Sequence, residues 1–238
     1  MNKYYYISVR TESTRLKKKA LRKINNKCTI EYLIENLKKS KYSQNIVLCT
    51  TDLASDDELS ELADKHGIKI FRGSSSDKIY RWHKCTEAFD VDFFVNVDGD
   101  DLFFDYKLGD HILDTYNDYD FVDGHGYYID VYGISKKGIR IVNSEKDTDE
   151  TEYIRTFFQR SNYLKNVKLE MIDSKYKKGD FRMTLDYEED FIFFENIINN
   201  VEKLDFDTIL NYLEKNPKVK KINIHREESW AKNQLKYL

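Results

Sequence analysis

The sequence predicts one α/β domain built on a mostly parallel sheet with helices on both faces. Two observations carry that prediction. Short apolar, β-rich runs alternate with helical stretches at least three times in the first hundred residues, the rhythm of right-handed crossover units. The two most polar, chemically loaded segments, Arg10–Lys19 and Asp98–Asp101, both follow predicted strands. They therefore share the carboxyl rim, where such sheets bind ligands.

The elements follow in order. Tyr4–Val9 is a first strand. After a charged loop, Ile30, Leu33, Ile34 and Leu37 recur at helical spacing, with Thr29 as the expected N-cap. Asn45–Thr50 is a second strand. Asp56–His66 is a helix, with Gly67 placed to end it. Ile68–Phe71 is a third strand, Asp77–Phe89 a helix, and Asp92–Val97 a fourth strand running into the acidic cluster. Beyond it, Lys107–Tyr116, Glu150–Arg160, Glu188–Val201 and Asp207–Leu213 are expected to be helical. Phe121–Ile134 is expected to form strands and turns, and Lys168–Ile172 and Met183–Leu185 short strands. The whole of 1–238 is taken as one domain, with an insertion or dimerisation arm around 121–180.

The composition bounds the function. A 238-residue chain can bury a substantial core without disulfides or structural metals. A formal net charge of -3 provides no basic field for nucleic acid, so none is expected as a partner. No apolar run approaches the ~20 residues of a membrane span, and MNKYYYISVR does not read as a secretory leader. Cys28, Cys49 and Cys85 are dispersed and lack CxxC spacing, which points to no zinc site and to a reducing, cytoplasmic setting.

Three segments carry chemistry. RTESTRLKKKAL, residues 10–21, places Arg10, Arg15 and Lys19 in one loop with the small hydroxyls of Ser13 and Thr14. Such a loop suits a triphosphate, whose oxygens need charge-assisted hydrogen bonds. It is not a Walker loop, and a solvated charge run would look alike. VNVDGDDLFFD, residues 95–105, gathers carboxylates at a strand end. They repel unless a cation sits between them, and hard oxygens suit Mg²⁺; a tight turn is the plainer reading. FRMTLDYEEDFIFFENI, residues 181–197, delivers Asp186 to a strand end and Asp190 to the first turn of a helix. Read locally, Asp186 is an N-cap.

In combination, these segments resemble the acylneuraminate and 3-deoxy-manno-octulosonate cytidylyltransferases, most of all the spore-coat polysaccharide protein F branch. Arg10, Ser13, Thr14, Arg15, Leu16, Lys19 and Leu21 fall in register with AR-x-G-S-x-RLPGKxL. VDGDDLFFD resembles the TGDCPLID segment and FRMTLDYEED the RLTVDTPED segment, which aligns Asp100 and Asp186 with two metal-binding aspartates. The likeness covers the first ~105 residues well and the rest in patches. It implies a Rossmann-like fold of the glycosyltransferase-A type with a small dimerisation extension, and a homodimer. It also implies that CTP gives up CMP to a small acidic, sugar-like substrate.

Under that resemblance Arg10, Arg15 and Lys19 hold the phosphates of CTP, while Asp100 and Asp186 hold Mg²⁺. Arg72, Gly73 and Ser74 match a segment near the nucleoside, and Asp123–Tyr132 is the candidate acceptor pocket. The chain departs from the pattern at Glu12, which replaces a glycine, and at Lys17-Lys18, which replace Pro-Gly. Losing glycine restricts backbone approach to phosphate. Two other readings remain at this point. Asp98-Gly99-Asp100 fits the DxD of metal-dependent glycosyltransferases, and the altered loop fits a non-catalytic nucleotide-binding module.

Overall fold

A computed structural model describes residues 1–234; the last four residues of the 1–238 domain lie outside it. In chain order the elements are β1 (Lys3–Ser8), β2 (Lys23–Ile24), β3 (Lys27–Cys28), α1 (Thr29–Leu37), β4 (Ile46–Thr51), α2 (Asp57–His66) and β5 (Lys69–Gly73). There follow α3 (Lys78–Ala88), β6 (Phe93–Asp98), α4 (Tyr106–Thr115), β7 (Phe121–Asp123), β8 (Tyr132–Ser135), α5 (Lys136–Glu145), α6 (Ile154–Arg160) and β9 (Asn166–Lys168). The chain ends with α7 (Glu188–Asn200), α8 (Phe206–Lys215), α9 (Pro217–Lys220) and α10 (Arg226–Gln234).

Seven strands form one sheet in the order β5-β4-β1-β6-β8-β7-β9. The first four are parallel, β8 runs antiparallel to both β6 and β7, and β9 is parallel to β7. The sheet is mostly parallel, as expected. Alternation in β1 shows why both faces are covered. Tyr5 and Ile7 enter a core with α1, α2, α4, α7 and α8. Tyr4 and Tyr6 enter a second core with α3, α5 and α6. Among the described residues no helix is long and apolar enough to cross a membrane.

Local expectations are corrected in several places. Cys28, not Thr29, precedes α1. The Glu31 carboxylate accepts from Cys28 N at 2.8 Å, while the Thr29 hydroxyl donates to Lys19 O at 2.5 Å. Thr29 thus fastens the cationic loop instead of capping. Met183–Leu185 forms no strand; its tie to the sheet rim is Leu185 N donating to Asp100 O at 3.0 Å. The strand expected at Lys168–Ile172 is β9, shifted toward the N-terminus, and Ile172 is exposed. The helix expected from Glu150 begins at Ile154, because Thr151 is turned inward to Asp77 and Ile79 N. Residues 121–180 supply β7, β8 and β9 to the central sheet.

Candidate active site

A cavity of about 860 Å³ opens at the carboxyl ends of β1 and β6. The loop after β1 forms one wall and the turn after β6 another. They meet because Gly99 has no side chain. A Cβ there would lie 2.6 Å from the Cβ of Val9 and 3.2 Å from Ile30 Cδ1, closer than carbon atoms pack.

The cationic loop reaches across to both distant carboxylates. Lys19 Nζ donates to Asp100 Oδ2 and, at 2.9 Å, to Asp186 Oδ1. Arg15 donates to the same Asp186 oxygen at 2.5 Å. The other oxygen of Asp186 accepts from Arg182 at 2.7 Å. Asp186 is 1% exposed, so three cations offset its desolvation. Its local role differs from the expected N-cap. Tyr187 is the N-cap of α7, and the Asp190 carboxylate accepts from Asp186 N at 2.8 Å and Tyr187 N at 2.9 Å. Asp190 therefore holds the backbone that aims Asp186.

Two carboxylates sharing one ammonium split their acidity. Burial alone would push Asp186 up, but Lys19 and Arg15 reverse this and hold it well below the usual carboxylate range. Burial raises Asp100, Lys19 lowers it, and the charges of Asp186 and Asp98 leave it raised. Burial lowers Lys19, but the two aspartates more than compensate, so it stays charged. Asp101 is pushed far up by burial and by Asp100 and Asp98, and it accepts from the Thr184 hydroxyl at 3.0 Å.

Asp98 is set by groups the sequence did not single out. Lys78, at the start of α3, donates to Asp98 Oδ1 at 2.9 Å, and Asn96 donates to the same oxygen at 3.2 Å. Asn96 in turn accepts from Ser8 at 2.8 Å, and Ser8 accepts from the Trp82 indole at 2.8 Å. The ring of Trp82 also lies 5.0 Å from the Lys78 ammonium. Lys78, Arg81 and Arg182 all line the cavity. None of the three carried a spacing signal; Arg182 lies four residues before Asp186, but that stretch is not helical.

The remaining expected residues divide. Ser13, Thr14 and Glu12 line the cavity. Arg10 lines it too, but its guanidinium is turned to Ser75 O at 3.3 Å and Glu152 at 3.4 Å. Arg72 faces elsewhere, donating to Thr51 O at 2.9 Å, Leu53 O at 2.7 Å and Asp57 at 2.6 Å. It clamps the turn after β4. Ser74 receives Asp77 N on its hydroxyl at 3.1 Å, and like Arg72 is not among the residues lining this cavity. From the suggested acceptor segment, His125, Tyr127, Asp130 and Tyr132 do line it. His125 pairs with Asp130 at 3.0 Å, which raises its pKa. Trp230 and Lys178 also line it, the ammonium 5.6 Å from the ring centre.

Lys18, where the related pattern has glycine, adopts φ 50°, ψ 34°, the left-handed region. A lysine in that region carries backbone strain that a glycine would not.

Among the described residues no three or more acidic, imidazole or thiol groups are placed to cage a metal. Asp100 and Asp186 nevertheless converge on one cation, the Lys19 ammonium. Two carboxylates with open cavity beside them fit Mg²⁺, which takes one or two protein carboxylates and completes its shell with phosphate oxygens and water.

Known proteins resemble this chain in sequence and in fold. The chain is 28% identical over 236 residues to an uncharacterised protein of Methanocaldococcus jannaschii, covering 94% of this chain and 96% of that one. It is 25% identical over 202 residues to the spore coat polysaccharide biosynthesis protein SpsF of Bacillus subtilis, covering 79% and 82%. The structure of a cytidylyltransferase from Leptospira borgpetersenii superposes with a TM-score of 0.83 at 22% identity, covering 92% of this chain and 97% of that one. The family model described as cytidylyltransferase matches residues 6–162, about two thirds of the chain. The chain belongs to the cytidylyltransferase family and is a CTP-dependent nucleotidyltransferase.

Proposed function

We propose that the protein transfers CMP from CTP to a small acidic, sugar-like acceptor and releases pyrophosphate, in activated-sugar or surface-polysaccharide biosynthesis. The observation that carries the reading is the meeting of Lys19 and Arg15 with Asp100 and Asp186 on one cavity wall. Residues 81–171 positions apart converge there, a costly arrangement of buried charge unless a ligand uses it. The relationship to SpsF supports the biosynthetic setting.

In this reading Asp100 and Asp186 hold Mg²⁺, which supplies charge neutralisation at the phosphate under attack. When CTP enters, Lys19 and Arg15 exchange part of their carboxylate contacts for phosphate oxygens, and Arg10 swings from Glu152 to the outer phosphates. Arg182 keeps Asp186 ionised and fixed throughout. Ser13 and Thr14 offer hydroxyls and backbone N–H groups to the triphosphate. An acceptor oxygen attacks the α-phosphorus, the bond to the β-phosphate oxygen breaks, and pyrophosphate carries away the electron pair. The chain contributes positioning and charge, and no covalent intermediate forms. His125, Asp130 and Tyr132 line the acceptor side, with Trp230 opposite. A cytoplasmic homodimer is the expected working form.

The test is pyrophosphate release with CTP, Mg²⁺ and a panel of acidic sugars. Wild type releases pyrophosphate with at least one acceptor, and Asp100→Ala and Asp186→Ala each abolish it, by 10³-fold or more on the order expected for loss of transition-state charge stabilisation. Full activity in either variant would remove the metal assignment.

A further inference from the structure

We infer that Arg81 reads the base of the nucleotide and sets the preference for cytosine over uracil. The inference rests on CTP as co-substrate and deepens it. Arg81 lies on α3 and on the cavity wall, and is 4% exposed. Its Nη1 donates to Ser74 O, just past the end of β5. Its Nε is buried with no hydrogen-bond partner. The thiol of Cys49, a weak acceptor, is a further polar neighbour.

Arg10, Arg15, Lys19, Lys78, Arg155, Lys178 and Arg182 each pair with a carboxylate. Among the described residues, no carboxylate is in ion-pair contact with Arg81, although it is among the more deeply buried of the set. A buried guanidinium that no carboxylate touches, with Glu152 acting on it only from beyond ion-pair distance, is expensive and is retained where a ligand completes it.

The position selects which part of the ligand that is. The triphosphate wall follows β1. Arg81 is tied to the end of β5, two strands away in the order β5-β4-β1. Two strand spacings are about 10 Å, the scale of one nucleoside laid along the rim. The acceptor side lies in the opposite direction, beyond β6. Arg72, expected near the nucleoside, is turned out to Asp57, which leaves Arg10 and Arg81 lining the cavity at this edge, and Arg10 is already paired with Glu152.

Chemistry then selects the base. A guanidinium only donates. Cytosine presents adjacent acceptors at O2 and N3, which match two parallel N–H donors. Uracil carries a hydrogen on N3, so one of the two contacts becomes donor against donor. A site built to hydrogen-bond one partner rejects the mismatched one strongly, because its buried polar group is left unpaired.

The experiment compares wild type, Arg81→Met and Arg81→Lys by calorimetric titration with CTP and with UTP in Mg²⁺, without acceptor, alongside thermal melting as a folding control. Wild type should bind CTP more tightly. Arg81→Met should weaken CTP on the order of 30-fold while UTP changes less than about 3-fold, so the ratio collapses. Arg81→Lys keeps a buried charge but loses the fork, and should also lower the ratio; it carries the test if Arg81→Met does not fold. Equal weakening of both nucleotides, or an unchanged ratio in both variants, would overturn the inference and leave Arg81 as a support for the Ser74 turn. A wild type indifferent between CTP and UTP would remove the CTP reading itself, and this inference with it.

Discussion

Replacing Lys19 by methionine keeps most of the side-chain volume and removes the one ammonium shared by Asp100 and Asp186. Removing one partner of a buried pair costs about 3–5 kcal/mol when the remaining charge is stranded. Here the stranding is partial. Asp186 keeps Arg15 at 2.5 Å and Arg182 at 2.7 Å. Asp100 has no second cation in ion-pair contact among the described residues, and its pKa is already raised. It can escape by taking a proton, at about 1.4 kcal/mol per unit of further shift. The expected loss at pH 7 is therefore about 2 kcal/mol, or roughly 4–8 °C in Tm for a chain of this size. The sign with pH follows. A carboxylate whose folded pKa rises is penalised above its unfolded value, so the loss should be largest near neutrality and shrink toward pH 4. Mg²⁺ without nucleotide should restore more of the Tm in Lys19→Met than it adds to wild type, because the cation position is vacated. Scanning calorimetry at pH 4 and pH 7, with and without Mg²⁺, measures all of this. A loss independent of pH, or none at all, would refute the shared-ammonium account.

Two further outcomes are expected. The Glu31 carboxylate accepts from Lys65 Nζ at 2.5 Å, a His66 ring nitrogen at 2.8 Å and Cys28 N at 2.8 Å. Burial opposes ionisation there, but these contacts bring its pKa down to about 2. A lowered carboxylate contributes stability above its unfolded pKa and loses it as pH falls through the folded value, so Glu31→Gln should cost about 2 kcal/mol at pH 7 and flatten the acid loss down to about pH 2 in denaturant titrations. Lys18→Gly relieves about 1 kcal/mol of left-handed strain, partly offset by glycine's unfolded-state entropy, and should raise stability by about 0.5 kcal/mol in urea unfolding while leaving the nucleotide site intact.

The N-terminal half was legible because its information is local. The apolar runs of β1, β4 and β6 and the spacing in α1 report burial directly. Asp100 and Asp186 were legible as types at strand-like ends, and the resemblance joined them. What stayed hidden depends on partners far away in sequence. Nothing near Arg72 says that its guanidinium turns to Asp57, and nothing near Lys78 announces Asp98, twenty residues on. α5 went unread because Gly138 sits in its first turn. The glycine is there because a Cβ would lie 2.4 Å from Asp120 O. Met183–Leu185 has strand composition but meets the rim after β6 through one backbone hydrogen bond and the Thr184 hydroxyl, so propensity lost to geometry.

The most direct measurement is a crystal of the protein grown with Mn²⁺ and CTP, examined by anomalous scattering at the manganese edge. The account predicts one peak within ligand distance of both the Asp100 and Asp186 carboxylates, with Lys19 and Arg15 moved onto the triphosphate. A peak elsewhere, or a triphosphate bound away from the loop after β1, would contradict it.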